Sequence, residues 1–292
     1  MMKKLIIEAR VNEYMMRGPN PHVPYSPSEI AANAVACRDT GAAIVHFHAR
    51  KTDGSPEHSY DAYADTVRKI RVDSDILIHP TLGYVTLGAS AAERLAHIMR
   101  MVDDGIAPDF APMDMGSSNV DKFDPQTNLF MTNDLVYTNS TATLQYFASQ
   151  MRAKNLKPYL VSWNVGFTRQ AEAFIRAGLI DTPAYLCLLL SDNTCIAGPP
   201  GTAKGLQSQI DFVPTDLDIQ WTLCNFGGNL LNLAPSIIEK GGHISIGLGD
   251  YQYKELGTPT NAELIGLVAD MARQMGREVA TPHEAKQILG ML

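Results

Sequence analysis

Apolar and polar positions along the chain fall into short β-like runs that alternate with longer stretches of helical periodicity. Residues 5–11 form the first run, and a Pro/Gly/Asn loop from Arg17 to Tyr25 follows it. Ser26-Pro27-Ser28-Glu29 carries a helix start, with Ser26 as N-cap, Pro27 at the first helical position and Glu29 at the capping-box position. That helix runs to Gly41, and residues 42–50 form the next strand. A helix over about residues 60–71 follows, then a strand at 75–80 and a helix at 89–102. Further strands are predicted at 110–113, 157–162, 184–190, 218–223 and 242–247. The helices between and after them fall at 141–153, 170–177, 203–209, 230–240 and 261–275, and a helical turn opens near Ala280. The long segment beginning at Gly116 reads as a loop with room for secondary structure of its own.

Strands that alternate with helices pair in parallel and must be covered on both faces. Eight such units in 292 residues predict an α/β fold of the (β/α)8 TIM-barrel type rather than an open sheet. No low-complexity linker interrupts the pattern, so residues 1–292 read as a single domain.

Composition narrows the function. Lys plus Arg is 24 against 31 Asp plus Glu, a net charge of -7, which argues against a nucleic-acid partner but leaves room for an anionic small molecule. The start, two lysines and then three apolar residues, is too short for a signal-peptide core, and no run has the length to span a membrane. The four cysteines (Cys37, Cys187, Cys195, Cys224) have no CxxC spacing and suit a reducing cytoplasm.

The densest chemistry is His46-Phe47-His48. Side chains alternate along a strand, so the two imidazoles share a face and can grip one metal ion. In a barrel of this kind, the reactive groups sit where the strands end. By that rule Asn12 and Glu13, His46, His48 and Arg50, His79 and Thr81, Asp114, Trp163 and Asn164, and Asp250 share one mouth. The two histidines, Glu13 and Asp250 come from strands that neighbour each other when the barrel closes, which strengthens the metal reading. His79 reads as a partner one layer deeper, and His243, at the opposite end, as packing. His22, His58, His97 and His283 read as solvated or structural. Gly198-Pro199-Pro200-Gly201-Thr202-Ala203-Lys204-Gly205 resembles a phosphate loop, but Ala203 and Gly205 flank the lysine where glycine and Ser/Thr are required. Its backbone N–H groups could still meet an anion.

Several stretches carry a family likeness. They are Pro24-Tyr25-Ser26-Pro27-Ser28-Glu29-Ile30, Gly41 through Arg50, Asp53-Gly54-Ser55-Pro56, Met115-Gly116-Ser117-Ser118-Asn119, Gly241 through Asp250, Thr260-Asn261-Ala262-Glu263-Leu264 and Thr281-Pro282-His283-Glu284-Ala285. Together these resemble the β-keto acid cleavage enzymes, the family of 3-keto-5-aminohexanoate cleavage enzyme, over nearly the whole length. The resemblance implies a zinc-dependent barrel, a homotetramer, that condenses a β-keto acid with acetyl-CoA to give acetoacetate and a new acyl-CoA. It places His46 and His48 on the metal-binding histidines, Asp250 on the catalytic base, Glu13 on an active-site glutamate and Thr81 on a substrate-binding serine. Asp114 stands at the position of an active-site asparagine.

The chain also departs from that pattern. Gly249 replaces a glutamate ligand that precedes the base, Ser245 replaces an arginine that supports it, and Gly228 replaces a further arginine. Three readings therefore stand: the family's acetyl-CoA reaction, a metal-dependent lyase, aldolase or hydrolase acting on a small oxoacid without CoA, and a non-catalytic ligand-binding barrel.

Overall fold

The computed structural model describes residues 3–83 and 88–292. The eight strands form as expected: β1 (Ile7–Arg10), β2 (Ile44–Phe47), β3 (Leu77–Pro80), β4 (Phe110–Asp114), β5 (Lys157–Ser162), β6 (Ala184–Ser191), β7 (Ile219–Phe226) and β8 (His243–Ile246). They pair in parallel in the order β3-β2-β1-β8-β7-β6-β5-β4. Between β3 and β4 the closure is made at Asp109. Its N–H donates to the Ile78 carbonyl at 3.0 Å, and its carboxylate accepts the Ile78 N–H at 2.8 Å. The result is a (β/α)8 barrel.

The outer shell is α1 (Pro27–Thr40), α2 (Tyr60–Asp73), α3 (Ala91–Asp103), α4 (Thr141–Ala153), α5 (Val165–Arg176), α6 (Ala203–Ile210), α7 (Ala234–Glu239), α8 (Asn261–Gln274) and α9 (Pro282–Ile288). The capping box foreseen at Ser26 and Glu29 is present, and three more open α3, α8 and α9 at Ser90, Thr260 and Thr281. Each box gives N-terminal N–H groups a side-chain acceptor.

Two helices differ from the expectation. The 170–177 helix begins earlier, at Val165, because Asn164 is its N-cap and accepts the Gly166 N–H at 2.9 Å. The 230–240 helix splits into a 3-10 turn (Leu230–Asn232) and α7, since Pro235 lacks the N–H needed to join them. The segment after β4 does carry its own structure: Ser118–Asn119 pairs with Val136–Tyr137, and Phe123–Asp124 with Leu129–Phe130, both antiparallel. Among the described residues no helix is long and apolar enough to cross a membrane.

Strand parity sorts the side chains into two cores. Ile7, Ala9, Val11, Val45, Phe47 and Ile78 face the helices. Ile6, Ile44, Leu77, Phe110, Tyr159, Tyr185 and Cys224 fill the barrel's base. Residues of the inward parity nearer the strand ends are polar: Glu8, Arg10, His46, His48 and His79, all buried. The register sets Arg10 beside His46 and His46 beside His79 in one layer.

Candidate active site

Glu13, His46 and His48 converge at the barrel mouth. His46 Nε2 lies 2.9 Å from Glu13 Oε1, and His48 Nε2 lies 2.5 Å from Glu13 Oε2. The loop after β1 is held in place to allow this. Asn12 clamps β2, donating to the His48 carbonyl at 2.8 Å and accepting the His48 N–H at 2.9 Å. Arg50, a mouth residue in the sequence reading, braces that loop instead, donating to the Glu13 carbonyl at 2.6 Å and the Gly54 carbonyl at 2.6 Å. Glu13 itself takes a left-handed backbone, φ +37°, which a residue with a side chain adopts at a cost of about 1–3 kcal/mol. That strain turns its carboxylate inward.

The donor set fits a metal ion on chemical grounds. His46 Nδ1 lies 2.9 Å from the His79 carbonyl, which can only accept, so the ring proton is on Nδ1 and Nε2 carries a bare lone pair. Burial holds this imidazole down at about 4, so it is neutral at ordinary pH. A bare nitrogen thus faces a carboxylate oxygen, and Glu13 Oε1 accepts no aligned hydrogen bond. A shared cation would relieve two electron-rich atoms at that separation, and this group of residues could hold one. Burial pushes the Glu13 carboxyl up, but Arg10, His46 and His48 outweigh it and keep it well below the usual range, so it is ionised. A second cluster, Glu8 with His46 and His79, is less suited. Glu8 already accepts from His79 Nδ1 at 2.8 Å, Ser245 Oγ at 2.5 Å and the Tyr159 hydroxyl. His79 is therefore a partner one layer deeper than the mouth, as its position in the sequence suggested. Burial raises the Glu8 carboxyl, and the hydrogen bond and charge of His79, with Arg10, bring it to about 2.

The residue that sequence reasoning missed is Arg10. Its Nε lies 3.0 and 2.9 Å from the two oxygens of Asp250, and its Nη2 lies 2.5 Å from Glu13 Oε1. It joins the two carboxylates across the β1–β8 seam, and all three groups are buried. Burial lifts the Asp250 carboxyl to about 7, with Arg10 pulling it back and Glu13 pushing it up. The signal was present in the polar–apolar alternation Glu8-Ala9-Arg10-Val11-Asn12, in a strand that should be buried on both faces.

The three departures have physical explanations of different kinds. A Cβ at Gly249 would sit 2.6 Å from Glu13 Cγ and 2.9 Å from the Arg10 carbonyl, so the space is taken by Glu13 and its strand. Ser245 leaves room for Glu8, whose carboxylate it caps. A Cβ at Gly228 would meet Asp192 Oδ2 at 2.1 Å, so a carboxylate occupies the space there.

These groups open into a cavity of about 470 Å³, lined also by Thr81, Asp114, Tyr137 and Trp163. Thr81 Oγ1 accepts the Gly83 N–H at 3.0 Å, which leaves its own O–H to donate. Asp114 accepts from Trp163 Nε1 at 2.6 Å and from the Tyr137 hydroxyl at 2.8 Å. His58, read as solvated or structural, lines the cavity, whereas His243 and His97 have the packing or structural roles expected of them. His243 Nδ1 accepts the Ile6 N–H at 3.0 Å in the base, and His97 meets the Thr81 carbonyl. In the loop resembling a phosphate site, Gly201 donates to Asp192 and Gly205 to Thr202. The cysteines are free, with Cys195 alone partly exposed.

Three comparisons bear on this arrangement. The family model described as beta-keto acid cleavage enzyme matches residues 4–291. A 3-keto-5-aminohexanoate cleavage enzyme of Fusobacterium nucleatum is 28% identical over 295 residues, covering 100% of this chain and 99% of that protein. A 3-oxoadipate:acetyl-CoA acetyltransferase of Cupriavidus necator is 29% identical over 281 residues, covering 93% and 89%. Among solved structures, the apo structure of ObcA superposes with a TM-score of 0.73 at 15% identity. It covers 92% of this chain and 66% of that one, a likeness of fold.

Proposed function

Because the chain belongs to the β-keto acid cleavage enzyme family, we propose that it condenses a β-keto acid with acetyl-CoA, giving acetoacetate and a new acyl-CoA. One observation carries the reading. Two buried carboxylates, Asp250 and Glu13, are joined by Arg10 beside two histidines whose geometry suits a cation. His46, His48 and Glu13 would hold a divalent ion, zinc by their nitrogen and oxygen donors, which would supply Lewis acidity to the keto and carboxylate oxygens of the substrate.

The chain's own residues divide the remaining work. Asp250 takes the proton from the carbon between the substrate's two carbonyls, and its position near 7 suits a base at neutral pH. Arg10 fixes its orientation and balances its charge. The Thr81 hydroxyl donates to the substrate carboxylate. The carbanion's carbon then bonds to the acetyl carbonyl as the C–S bond of acetyl-CoA breaks. The released thiolate adds to the original ketone carbon, the old carbon–carbon bond breaks, and Asp250 returns the proton to the departing acetoacetate carbon. Atoms and charge balance with no further reactant.

A reading without CoA rested on the missing arginines at 245 and 228; Arg10, beside Asp250, weakens the first of these motives. The non-catalytic reading rested on Gly249, and Glu13 supplies a carboxylate there. The same proposal takes residues 1–292 as one catalytic domain, in the cytoplasm and as a homotetramer. Incubation of the purified protein with acetyl-CoA and a panel of β-keto acids, followed by chromatography of CoA esters, is the test. Acetoacetate and a new acyl-CoA in equal amounts are expected; release of neither with any member refutes the reaction.

A further inference from the structure

The proposed reaction leaves one oxygen of its substrates without a partner. The keto acid's oxygens have Thr81 and the ion that His46, His48 and Glu13 would hold. When the carbanion meets acetyl-CoA, negative charge gathers on the thioester carbonyl oxygen, and no group already assigned donates to it. A fixed donor at such a place is among the larger single contributions to catalysis.

Tyr14 has the properties of that donor. It lines the cavity beside Glu13, His46 and His48. Its ring meets that of His48 edge to face, with centroids 4.7 Å apart and planes at 84°. The charges of Glu13, Arg50 and Asp114 all act on it, which puts it within reach of both the histidine wall and the β4 wall. The residue is 38% exposed, and among the described residues its hydroxyl makes no hydrogen bond. Other donors of the lining differ. Tyr137 donates to Asp114. Lys122, Thr194 and Cys195 lie together where the segment after β4 runs beside the loop after β6.

The backbone holds the Tyr14 side chain ready. The Met15 N–H closes the turn, donating to the Asn12 carbonyl at 3.0 Å. Arg50 grips the carbonyls on either side of Tyr14, that of Glu13 at 2.6 Å and that of Met15 at 3.1 Å. In a strand, residues 13 and 14 would face opposite ways; the left-handed backbone at Glu13 lets both face the cavity. A donor held in this way needs no reorganisation as charge develops.

We propose that the Tyr14 hydroxyl donates a hydrogen bond to the thioester carbonyl oxygen of acetyl-CoA and stabilises the oxyanion that forms there. The inference rests on the acetyl-CoA reading and adds a catalytic residue to it. The phenol keeps its proton throughout. The carbanion carbon bonds to the carbonyl carbon and the carbonyl's π pair moves onto oxygen; on its return the C–S bond breaks and the thiolate leaves.

Two measurements test this. The first is the infrared band of the thioester carbonyl in isotope-labelled acetyl-CoA bound to the protein, with no keto acid present. The band is expected to fall in frequency on binding to wild type and to stay near its free position in Tyr14→Phe. A band that does not move on binding to wild type overturns the proposal, whether or not the variant folds. So does an equal shift in the folded variant. The second measurement separates two steps. Deuterium exchange at the carbon between the keto acid's carbonyls, run without acetyl-CoA, needs Asp250 and no thioester; condensation needs both. In Tyr14→Phe condensation is expected to fall about 10²–10³-fold while exchange continues. Exchange lost in step with condensation, or condensation at the wild-type rate, overturns the proposal, and wild type that still forms acetoacetate leaves the parent reading standing. Wild type that neither binds acetyl-CoA nor condenses it overturns both.

Discussion

Replacing Arg10 with methionine tests the core of the site most directly. Methionine keeps the length and apolar stem of the side chain and removes the charge. Asp250 and Glu13, 2% and 5% exposed, lose the cation they share and remain in the same buried space. Removing one partner of a buried ion pair costs about 3–5 kcal/mol. The full loss is expected in metal-stripped protein; metal-loaded protein loses less, because the ion offsets the charge of Glu13. The pH dependence has a defined sign. The wild-type Asp250 carboxyl already sits near 7, above the unfolded value, so its ionised form weakens the fold as pH rises. Without Arg10 that carboxyl moves higher still. Below 7 Asp250 is protonated in both proteins, and the difference reflects Glu13. Above 7 wild type ionises Asp250 against Arg10 while the variant cannot, so the gap widens with pH. Urea denaturation of both proteins from pH 6 to 9 measures this. A loss under about 1 kcal/mol, or one that does not grow with pH, refutes the assignment of Arg10 as the shared counter-ion.

Other outcomes follow from the same geometry. Gly249→Ala places a methyl group against Glu13 Cγ, and the displaced carboxylate is expected to weaken metal binding about 10–100-fold, read by competition with a chelating dye; Gly249→Glu combined with Glu13→Gly is expected to recover part of it. Asp250→Asn is expected to lower kcat about 10²–10⁴-fold while metal content stays at the wild-type level; parallel loss of metal would mean Asp250 is a ligand and not the base. The acid limb of the wild-type kcat/KM profile is expected near pH 7, falling as Asp250 protonates, and absent from the residual activity of Asp250→Asn. Glu29, whose carboxyl accepts the Tyr25 and Ser26 N–H groups, is held at about 2 by those bonds and by Arg17 against the effect of burial. Glu29→Gln is expected to cost about 1 kcal/mol at neutral pH, a difference that fades as pH falls from the unfolded value toward 2, measured by thermal melts.

The barrel was legible because its signals are local. Strand runs, capping boxes and turn residues each act over a few positions, so Ser26 with Glu29 could be read directly. The histidine pair was legible for the same reason, since its spacing alone sets both rings on one face. Arg10 was not, because its partner Asp250 lies across the β1–β8 seam and only closure brings them together. Gly249 was read as a lost ligand because a sequence cannot show that Glu13 fills the space beside it. Asn164 was read as a mouth residue, since an N-cap and a strand-end ligand look alike without the backbone. Trp163, which could have been packing, lines the cavity, where its indole N–H donates to Asp114.

The metal-facing groups all lie between positions 13 and 48, within a single strand–helix–strand unit, whereas Asp250 arrives from the opposite end of the fold. On the proposed reading, the ion would be held within one unit of the chain and the proton taken by a residue from another, so the base at strand eight could change while the residues proposed to hold the ion keep their places.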